Sequence, residues 1–403
     1  MITAEFLLEL VQKTPSKIVL LVLDGIGGIP FKDGKTEIEF ANTPNLDKVA
    51  GSGVCGMIDA VGSGITPGSG PGHLALFGYD PQKYLIGRGI LEGLGIGLTL
   101  DKNSLAARGN FATMDKNKII TDRRAGRIAT EKNIALCARI QKDISRIEDV
   151  EVIIKPGKEH RFVVVLHGEE LGENLTDSDP QKEGRPANDI EALDEESKKS
   201  ARVINMFIKS ANNILKNEYP ANTFLLRGIA KSPDIPNMQK LFKLTPSAIA
   251  TYPMYKGLAH LVGMDILSVD GETIEDEILC LEKNYQKYDF FYVHIKKTDS
   301  AGEDGDFDKK VHAIEEVDKI IPRIFALKPD VLVITGDHST PSKLRGHSWH
   351  PNPVILFSET CRPDGITHFC EKQCKTGGIG KIPAQELMAL MLAHALKLEK
   401  YGA

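Results

Sequence analysis

The chain has no long hydrophobic run and no excess of basic charge. No uninterrupted apolar stretch in its 403 residues approaches the ~20 residues that a membrane-spanning helix needs. Lys and Arg number 50 against 55 for Asp and Glu, which gives a net charge of −5. Nucleic-acid binders instead carry a basic excess that neutralises phosphates. We therefore expect neither a membrane nor a nucleic acid as a partner.

Cysteines are also few, and the six in the chain are scattered. This usage is typical of free thiols in a reducing compartment rather than of a disulfide framework. Only Cys370 and Cys374 lie close together; a metal clip between them stays open, although no second pair completes a zinc-type motif. The amino-terminal stretch carries Glu5 and Glu9 and lacks the basic start and small-residue cleavage site of a secretory signal. These features favour a cytoplasmic protein.

The length favours two domains, because a single hydrophobic core stops growing below this size. The residue composition becomes more charged after a glycine-rich stretch at 89–97, and the composition of the first part of the chain returns near residue 240. We predict one domain at 1–100 and 241–403, interrupted by a more charged inserted domain at 101–240. The predicted fold class is α/β, with a mostly parallel sheet covered by helices and a smaller inserted α+β domain.

Apolar β-branched runs predict strands that are buried on both faces of a parallel sheet. The clearest of them is Lys17–Leu23. Thr43 and Pro44 are typical of an N-cap and a first helical position. The further predicted strands are 161–166, 247–252, 288–295, 330–335 and 353–357, and the predicted helices include 192–216, 309–326 and 383–399.

The stretch Thr66–His73 holds one serine, Ser69, among three glycines and two prolines. Prolines with a fixed φ beside permissive glycines suit a tight loop that presents one side chain at a set angle. A helix is expected to begin after Gly70-Pro71, which would place Ser69 near the positive end of a helix dipole. Ser69 is therefore a candidate nucleophile, although an ordinary surface turn explains the composition equally well unless other groups activate the hydroxyl.

Carboxylates follow three of the predicted buried strands. Asp24 comes directly after the first, Asp299 a few residues after the strand at 288–295, and Asp337 two residues after the strand at 330–335. The segment 296–306, predicted as a loop, holds four carboxylates in eight residues, which repel one another unless they are solvated or neutralised by a cation. Each Asp also suits a simple turn. Together with Glu303, His338 and His347, they predict a site for two divalent cations that could activate Ser69.

The chain resembles the archaeal-type cofactor-independent phosphoglycerate mutases, which belong to the alkaline phosphatase superfamily. The resemblance covers nearly the whole chain and is carried by motifs in a fixed order. These motifs are Leu21-Val22-Leu23-Asp24-Gly25, Gly68-Ser69-Gly70-Pro71-Gly72-His73, Gly87-Arg88-Gly89, Asp122-Arg123-Arg124-Ala125-Gly126-Arg127, Lys297-Thr298-Asp299-Ser300-Ala301-Gly302, and Thr335-Gly336-Asp337-His338-Ser339-Thr340-Pro341 followed by His347.

This resemblance implies that 2-phosphoglycerate and 3-phosphoglycerate are interconverted through a transiently phosphorylated Ser69, without free 2,3-bisphosphoglycerate. The residues that would hold one divalent ion (Mn, Mg, Co or Zn) are Asp24, Ser69, Asp337 and His338. The residues that would hold the second ion are Asp299, Glu303 and His347. Glu303 stands where the family pattern often has His, and its oxygen favours harder ions such as manganese or magnesium over zinc. Another phosphomutase or a phosphatase of the superfamily is the alternative function.

The inserted domain is expected to bind the substrate, which carries a phosphate and a carboxylate. Guanidinium groups bind such anions through paired hydrogen bonds, and the candidates for this role are Arg123, Arg127, Arg161 and Arg227. Asp122, His160 or Asp179 could act as general acid and base. Lys256 matches a family lysine that neutralises the phosphoryl group in flight. The sequence leaves open whether the chain forms a homo-oligomer.

Overall fold

The computed structural model describes residues 4–98 and 100–402. The chain forms two compact units within this part. The first unit comprises the chain up to Leu85 and from Ile235 onward, and the second comprises Ile86–Asp234. Helices and strands are numbered in chain order.

The first unit is built on an eight-stranded sheet. Its strands are β1 (Ile18–Leu23), β2 (Val54–Asp59), β9 (Pro246–Ile249), β10 (Asp265–Ile266), β11 (Phe290–Ile295), β12 (Val331–Thr335), β13 (Asn352–Ser358) and β14 (Gly380–Pro383). Its helices are α1 (Ala4–Leu10), α2 (Glu37–Phe40), α3 (Pro44–Ser52), α4 (Ser69–Leu76), α8 (Met238–Phe242), α9 (Pro253–Leu261), α10 (Ile274–Asn284), α11 (Lys297–Asp304), α12 (Phe307–Ala326), α13 (Glu371–Cys374) and α14 (Leu387–His394).

The strand order in this sheet is β10-β9-β11-β1-β12-β13-β2-β14. The pairings from β10 to β12 are parallel, whereas β13 runs antiparallel to both of its neighbours. All six residues of β1 are buried, as are all residues of β11 and β12 on either side of it. The predicted α/β class is confirmed, and β13 makes the sheet mixed.

Two predicted segments of the first unit differ from the structure. The stretch 296–306, expected to be a loop, contains helix α11, which ends at Gly305 in the left-handed conformation with φ of 74°. Glycine adopts this conformation without steric cost, so it ends the helix within the acidic stretch. The carboxyl-terminal helix is confined to α14 and is preceded by a short 3₁₀ turn at Ala384–Glu386.

The second unit contains an antiparallel sheet and three helices within residues 86–98 and 100–234. The strands are β3 (Ser104–Met114), β4 (Ile120–Asp122), β5 (Arg146–Ile147), β6 (Val150–Pro156), β7 (Arg161–His167) and β8 (Thr223–Lys231). The helices are α5 (Arg88–Gly95), α6 (Thr130–Asp143) and α7 (Lys198–Leu215). Strand β3 is central, pairing with β4, β7 and β8. Apolar residues of α6 and α7 share one core with alternate residues of these strands.

The second unit begins earlier than residue 101. A Cβ on Gly89 of α5 would lie 2.3 Å from the carbonyl oxygen of Ala106 in β3, so that α5 lies directly against this sheet. Helix α7 is shorter than the predicted 192–216, because the carboxylate of Asp194 accepts a hydrogen bond from the backbone of Ser197 in the turn before it. Side-chain capping of this kind competes with helical hydrogen bonding.

Candidate active site

Three buried acids meet at the carboxyl edge of the sheet in the first unit. Asp24 follows β1, Asp299 lies in the first turn of α11 after β11, and Asp337 follows β12. Because β1 lies between β11 and β12 in parallel register, the three strand ends come together. The exposed fraction of each Asp is at most 1%. The structure therefore brings these three residues together.

These acids form two groups of potential metal ligands with the histidines of the following loop. One group consists of Asp24, Asp337 and His338, and the other of Asp299, His338 and His347; within each group the ligand atoms lie within 4.8 Å of one another. His338 belongs to both groups. Its Nε2 lies 3.3 Å from Asp24 Oδ1 and 3.2 Å from Asp337 Oδ2. His347 Nε2 lies 3.7 Å from Asp299 Oδ1.

Ser69 lies beside the first group. It is the first residue of α4, so this helix starts at the serine itself rather than after Gly70-Pro71. Its Oγ lies 3.2 Å from His338 Nε2 and 3.4 Å from the hydroxyl of Tyr255. Gly72, one turn on, permits the close approach of α4 to the loop after β12, since a Cβ there would lie 2.4 Å from the carbonyl oxygen of Asp337.

Buried cations compensate the acids. Burial opposes ionisation of Asp24, but the neighbouring imidazoles of His294 and His338 outweigh it and hold the pKa of this carboxyl well below its usual value. Burial likewise opposes protonation of His338, yet the charges of Asp337 and Asp24 raise its pKa to about 9. The site therefore holds its negative charge at neutral pH.

Four residues of this site were not predicted from the sequence: His73, Tyr255, His294 and Lys296. Tyr255 donates a hydrogen bond to Asp24 Oδ2, and Lys296 Nζ lies 3.1 Å from the same oxygen. His294 Nε2 also lies 3.2 Å from Asp24 Oδ2, and His73 Nδ1 lies 3.2 Å from Asp337 Oδ2. The sequence offers one indication of these residues: His73 and His294 each lie within a stretch of otherwise apolar or small residues.

Two predicted residues lie apart from these groups. Glu303 is exposed on α11 and belongs to neither group of ligand atoms. Its carboxylate is four residues from Asp299 on the same helix, but the side chain faces solvent. Lys256 is half-buried and follows Tyr255 on α9. The cation that the structure brings to Asp24 and Asp299 is instead Lys296, 2.5 Å from Asp299 Oδ2.

The donor set fits divalent cations. Asp24 Oδ1 and Asp337 Oδ2 are buried and accept no hydrogen bond from residues 4–98 and 100–402; the imidazoles of His338 and His73 lie 3.2–3.3 Å from these oxygens. Buried carboxylate oxygens without donors are unfavourable unless a cation or a proton meets them. Carboxylate oxygens combined with imidazole nitrogens suit first-row divalent metals and magnesium.

The second unit has a separate, strongly basic cavity of about 260 Å³. Seven of its lining residues are arginines, which are Arg88, Arg108, Arg123, Arg124, Arg127, Arg161 and Arg227; the others are Asn110, Glu159 and His160. Five of these ten residues are predicted site residues; Arg88 and Arg124 stand only in the motifs quoted above, and Arg108, Asn110 and Glu159 were not singled out from the sequence. So many guanidinium groups around one cavity favour a ligand with several negative charges.

The predicted acid–base candidates of this unit have different surroundings. Asp122 accepts backbone hydrogen bonds from Arg124 and Gly126, so its carboxylate orders the arginine-bearing turn. Burial opposes ionisation of Asp179, but two hydrogen bonds from Arg123, of 2.9 and 2.6 Å, keep its pKa below the usual value. Burial and the charge of Arg161 lower the pKa of His160 to about 4, so this imidazole is neutral at pH 7.

A serine at a helix start beside acids and histidines at the carboxyl edge of a parallel sheet is typical of metal-dependent enzymes that transfer phosphoryl groups. Comparisons with known proteins indicate the same class. Residues 50–222 match the family model described as 2,3-bisphosphoglycerate-independent phosphoglycerate mutase. Proteins of Thermotoga maritima and Thermus thermophilus, each named as a probable enzyme of that description, are 54% and 52% identical to the chain; the alignments cover 99% of both chains in the first case and 98% of both in the second.

Solved structures give the same result. A cofactor-independent phosphoglycerate mutase from Thermoplasma acidophilum superposes with a TM-score of 0.77 at 29% identity, over 94% of this chain and 100% of that one. A protein from Pyrococcus horikoshii reaches 0.83 at 30% identity, over 96% and 99% of the two chains. The chain belongs to the 2,3-bisphosphoglycerate-independent phosphoglycerate mutase family. No helix in the described part of the chain is long and apolar enough to cross a membrane.

Proposed function

We propose that the chain interconverts 2-phosphoglycerate and 3-phosphoglycerate through a phosphoserine at residue 69, with divalent metal ions and without free 2,3-bisphosphoglycerate. The observation that carries this proposal is the position of Ser69 Oγ, 3.2 Å from His338 Nε2, beside the buried carboxylates of Asp24 and Asp337, whose Oδ1 and Oδ2 respectively accept no hydrogen bond from the described residues. The membership of the family supplies the substrate. An alkaline-phosphatase-like core interrupted by a substrate-binding domain belongs to the same proposal; this domain, predicted at 101–240, corresponds to the second unit, Ile86–Asp234.

Phosphoryl transfer in this scheme takes two displacements. Ser69 Oγ loses its proton and attacks phosphorus, the bond from phosphorus to the substrate oxygen breaks, and that oxygen takes up a proton. The other hydroxyl of the bound glycerate then loses its proton and attacks the phosphoserine, and the freed Ser69 Oγ takes up a proton. The position of Ser69 at the start of α4 supports this role, because free backbone N–H groups and the positive end of the helix dipole favour a bound phosphoryl group.

The residues proposed to hold two ions are Asp24, Ser69, Asp337 and His338 for one, and Asp299, His338 and His347 for the other, with manganese, magnesium, cobalt or zinc as the ion. Bound divalent ions lower the pKa of a coordinated hydroxyl and neutralise phosphoryl oxygens. Glu303 would join the second set only if its exposed side chain turned toward Asp299.

Positive charge from the protein supports transfer in both units. Lys296 lies against Asp24 and Asp299, and together with the half-buried Lys256 it is proposed to neutralise the phosphoryl group in flight. In the second unit, the arginines of the cavity, including the predicted Arg123, Arg127, Arg161 and Arg227, are proposed to bind the phosphate and the carboxylate of the substrate. His160, neutral at pH 7, is the best-placed of the three acid–base candidates, because Asp122 and Asp179 are already bound to backbone N–H groups and to Arg123.

The proposal is tested by assaying mutase activity of Ser69→Ala beside Ser63→Ala, in metal-free and metal-reconstituted protein. Ser63 is an exposed serine of the preceding loop that donates a hydrogen bond to Asp59. We expect Ser69→Ala to lose activity by several orders of magnitude and Ser63→Ala to match the wild type. Chelation should abolish activity reversibly. A near-wild-type rate for Ser69→Ala would refute the phosphoserine route.

A further inference from the structure

Asn110 is one of the residues that line the arginine cavity of the second unit. It lies on β3 two residues from Arg108, so both residues point to the same face of the sheet. The register places Arg161 of β7 opposite Asn110, and Arg227 of β8 opposite Arg108. Gly109 between them faces the other side, where a Cβ would lie 2.3 Å from the ring of Phe162. One carboxamide thus stands among three arginines, one on its own strand and two on the neighbouring strands.

The oxygen of this carboxamide is uncommitted. Asn110 Oδ1 is buried and has no hydrogen-bond partner among residues 4–98 and 100–402. Buried amide oxygens in folded proteins are nearly always paired with a donor. An unpaired oxygen that lines a cavity is therefore a place where a ligand can supply the missing hydrogen.

The other groups in the cavity and the acid beside it, Asp179, differ from this carboxamide. His160 also lines the cavity, and its buried Nδ1 has no hydrogen-bond partner among the described residues, but that nitrogen lies 3.9 Å from Glu159 Oε2. Arginines only donate hydrogen bonds, and the seven of them account for anionic groups of a ligand. Asp179 is engaged by Arg123 at 2.6 Å and lies 3.6 Å from Arg227. The side chain of Glu159 is 37% exposed, and as an anion it would repel a ligand that carries several negative charges. Asn110 offers a neutral acceptor among cations.

We propose that Asn110 determines specificity by accepting a hydrogen bond from the hydroxyl that the substrate keeps free, while arginines of the same cavity bind its phosphate and carboxylate. This inference rests on the proposed function, since 2-phosphoglycerate and 3-phosphoglycerate each carry one unesterified hydroxyl. Asn110 would thus recognise ligands that are phosphorylated hydroxy acids. The same acid without the hydroxyl has no donor for the Asn110 oxygen.

The test compares two ligands that differ in this hydroxyl. Calorimetry gives the Kd of 3-phosphoglycerate and of its deoxy analogue, 3-phosphonooxypropanoate, for the full chain carrying Ser69→Ala, which removes turnover under the proposed function. The same two values are then measured after adding Asn110→Ala, Asn110→Asp or Asn117→Ala. Asn117 lies exposed in the turn after β3 and serves as the matched control.

We expect Asn110→Ala to weaken 3-phosphoglycerate about tenfold and to change the affinity for the deoxy analogue by less than about twofold. Asn110→Asp keeps the shape of the side chain and an acceptor oxygen but adds negative charge, so it should weaken both ligands and retain the preference for the hydroxylated one. It decides the matter if Asn110→Ala does not fold. Asn117→Ala should bind both ligands like its parent.

Equal losses for the two ligands in Asn110→Ala would mean that the amide orders the arginines, and unchanged affinities would mean that the hydroxyl is recognised elsewhere. Either result overturns the inference, as does a lost preference in Asn110→Asp. Failure of the proposed function gives a different result: protein with Ser69 intact would lack mutase activity, whatever the two dissociation constants are.

Discussion

Lys310 is a fully buried lysine that holds together the two loops carrying the candidate ligands. Its Nζ donates hydrogen bonds to the carbonyl oxygens of Gly25, Gly27 and Thr340, at 2.9, 3.0 and 2.8 Å. Gly25 directly follows Asp24, and Thr340 lies two residues after His338. Burial lowers the pKa of Lys310, and the charge of Glu37 is the main factor that opposes this.

Lys310→Met keeps the length of the side chain and removes the ammonium group. Three buried carbonyl oxygens then lose a charged donor, and each such hydrogen bond contributes about 1.5–3 kcal/mol. The variant no longer pays the desolvation cost of the buried charge, which offsets part of this loss. Removing one partner of a buried ionic network nevertheless costs about 3–5 kcal/mol because its counter-charges stay behind. We expect the first unit to lose stability by that amount.

The assay is urea unfolding followed by the fluorescence of Trp349, the one tryptophan of the chain, which lies in the first unit. Lys309→Met is the matched control, because its Nζ forms a 3.0 Å ion pair with Asp304 in which both side chains are more than half exposed. Exposed pairs of this kind contribute little. If Lys310→Met and Lys309→Met unfold at the same urea concentration, the structural role of the buried ammonium is refuted.

Two further perturbations follow from the geometry of the first unit. Gly72→Ala should lower the free energy of unfolding by about 1–3 kcal/mol and reduce mutase activity, because its Cβ would collide with the carbonyl oxygen of Asp337. Gly62→Ala is the control, since the nearest atom to a Cβ on Gly62 is 3.8 Å away. Coincident unfolding curves of the two variants would contradict this prediction. Burial raises the pKa of Glu277 to about 8, so the folded chain retains this proton while the unfolded chain releases it, and its contribution to stability falls as pH rises from about 4.5 to about 8. Glu277→Gln should therefore unfold at a higher temperature than wild type at pH 8 and at nearly the same temperature at pH 4.5, and a stabilisation that does not depend on pH would contradict the assignment.

Local patterns were sufficient to predict the three acids. A strand buried on both faces, such as β1, is recognisable from its own residues. An Asp that follows it must then lie at the edge where the neighbouring parallel strands also end. The convergence of Asp24, Asp299 and Asp337 could therefore be predicted from the sequence alone, and the same strands predicted the fold class.

The residues that the sequence did not reveal depend on contacts between distant segments. Tyr255 reaches Asp24 from α9, and nothing in its own neighbourhood distinguishes it from a core tyrosine. Arg108 and Asn110 join the arginine cavity through the register of β3 with β7 and β8, and register is set by pairing that is invisible in one strand. The dense carboxylates of the segment 296–306 and the family resemblance group Glu303 with Asp299 and His347, but the Glu303 side chain is exposed on α11 and belongs to neither group of ligand atoms.

The central claim, that Ser69 carries the phosphoryl group, is tested most directly by trapping the intermediate. The metal-loaded protein is mixed with 3-phosphoglycerate, quenched rapidly in acid and analysed by intact and peptide mass spectrometry. We expect the peptide that contains Ser69 to gain the mass of one phosphoryl group in wild type and in Ser63→Ala. In Ser69→Ala this mass gain should be absent. Turnover without any phosphorylated peptide at the shortest quench times, or a phosphoryl group on a residue other than Ser69, would contradict it.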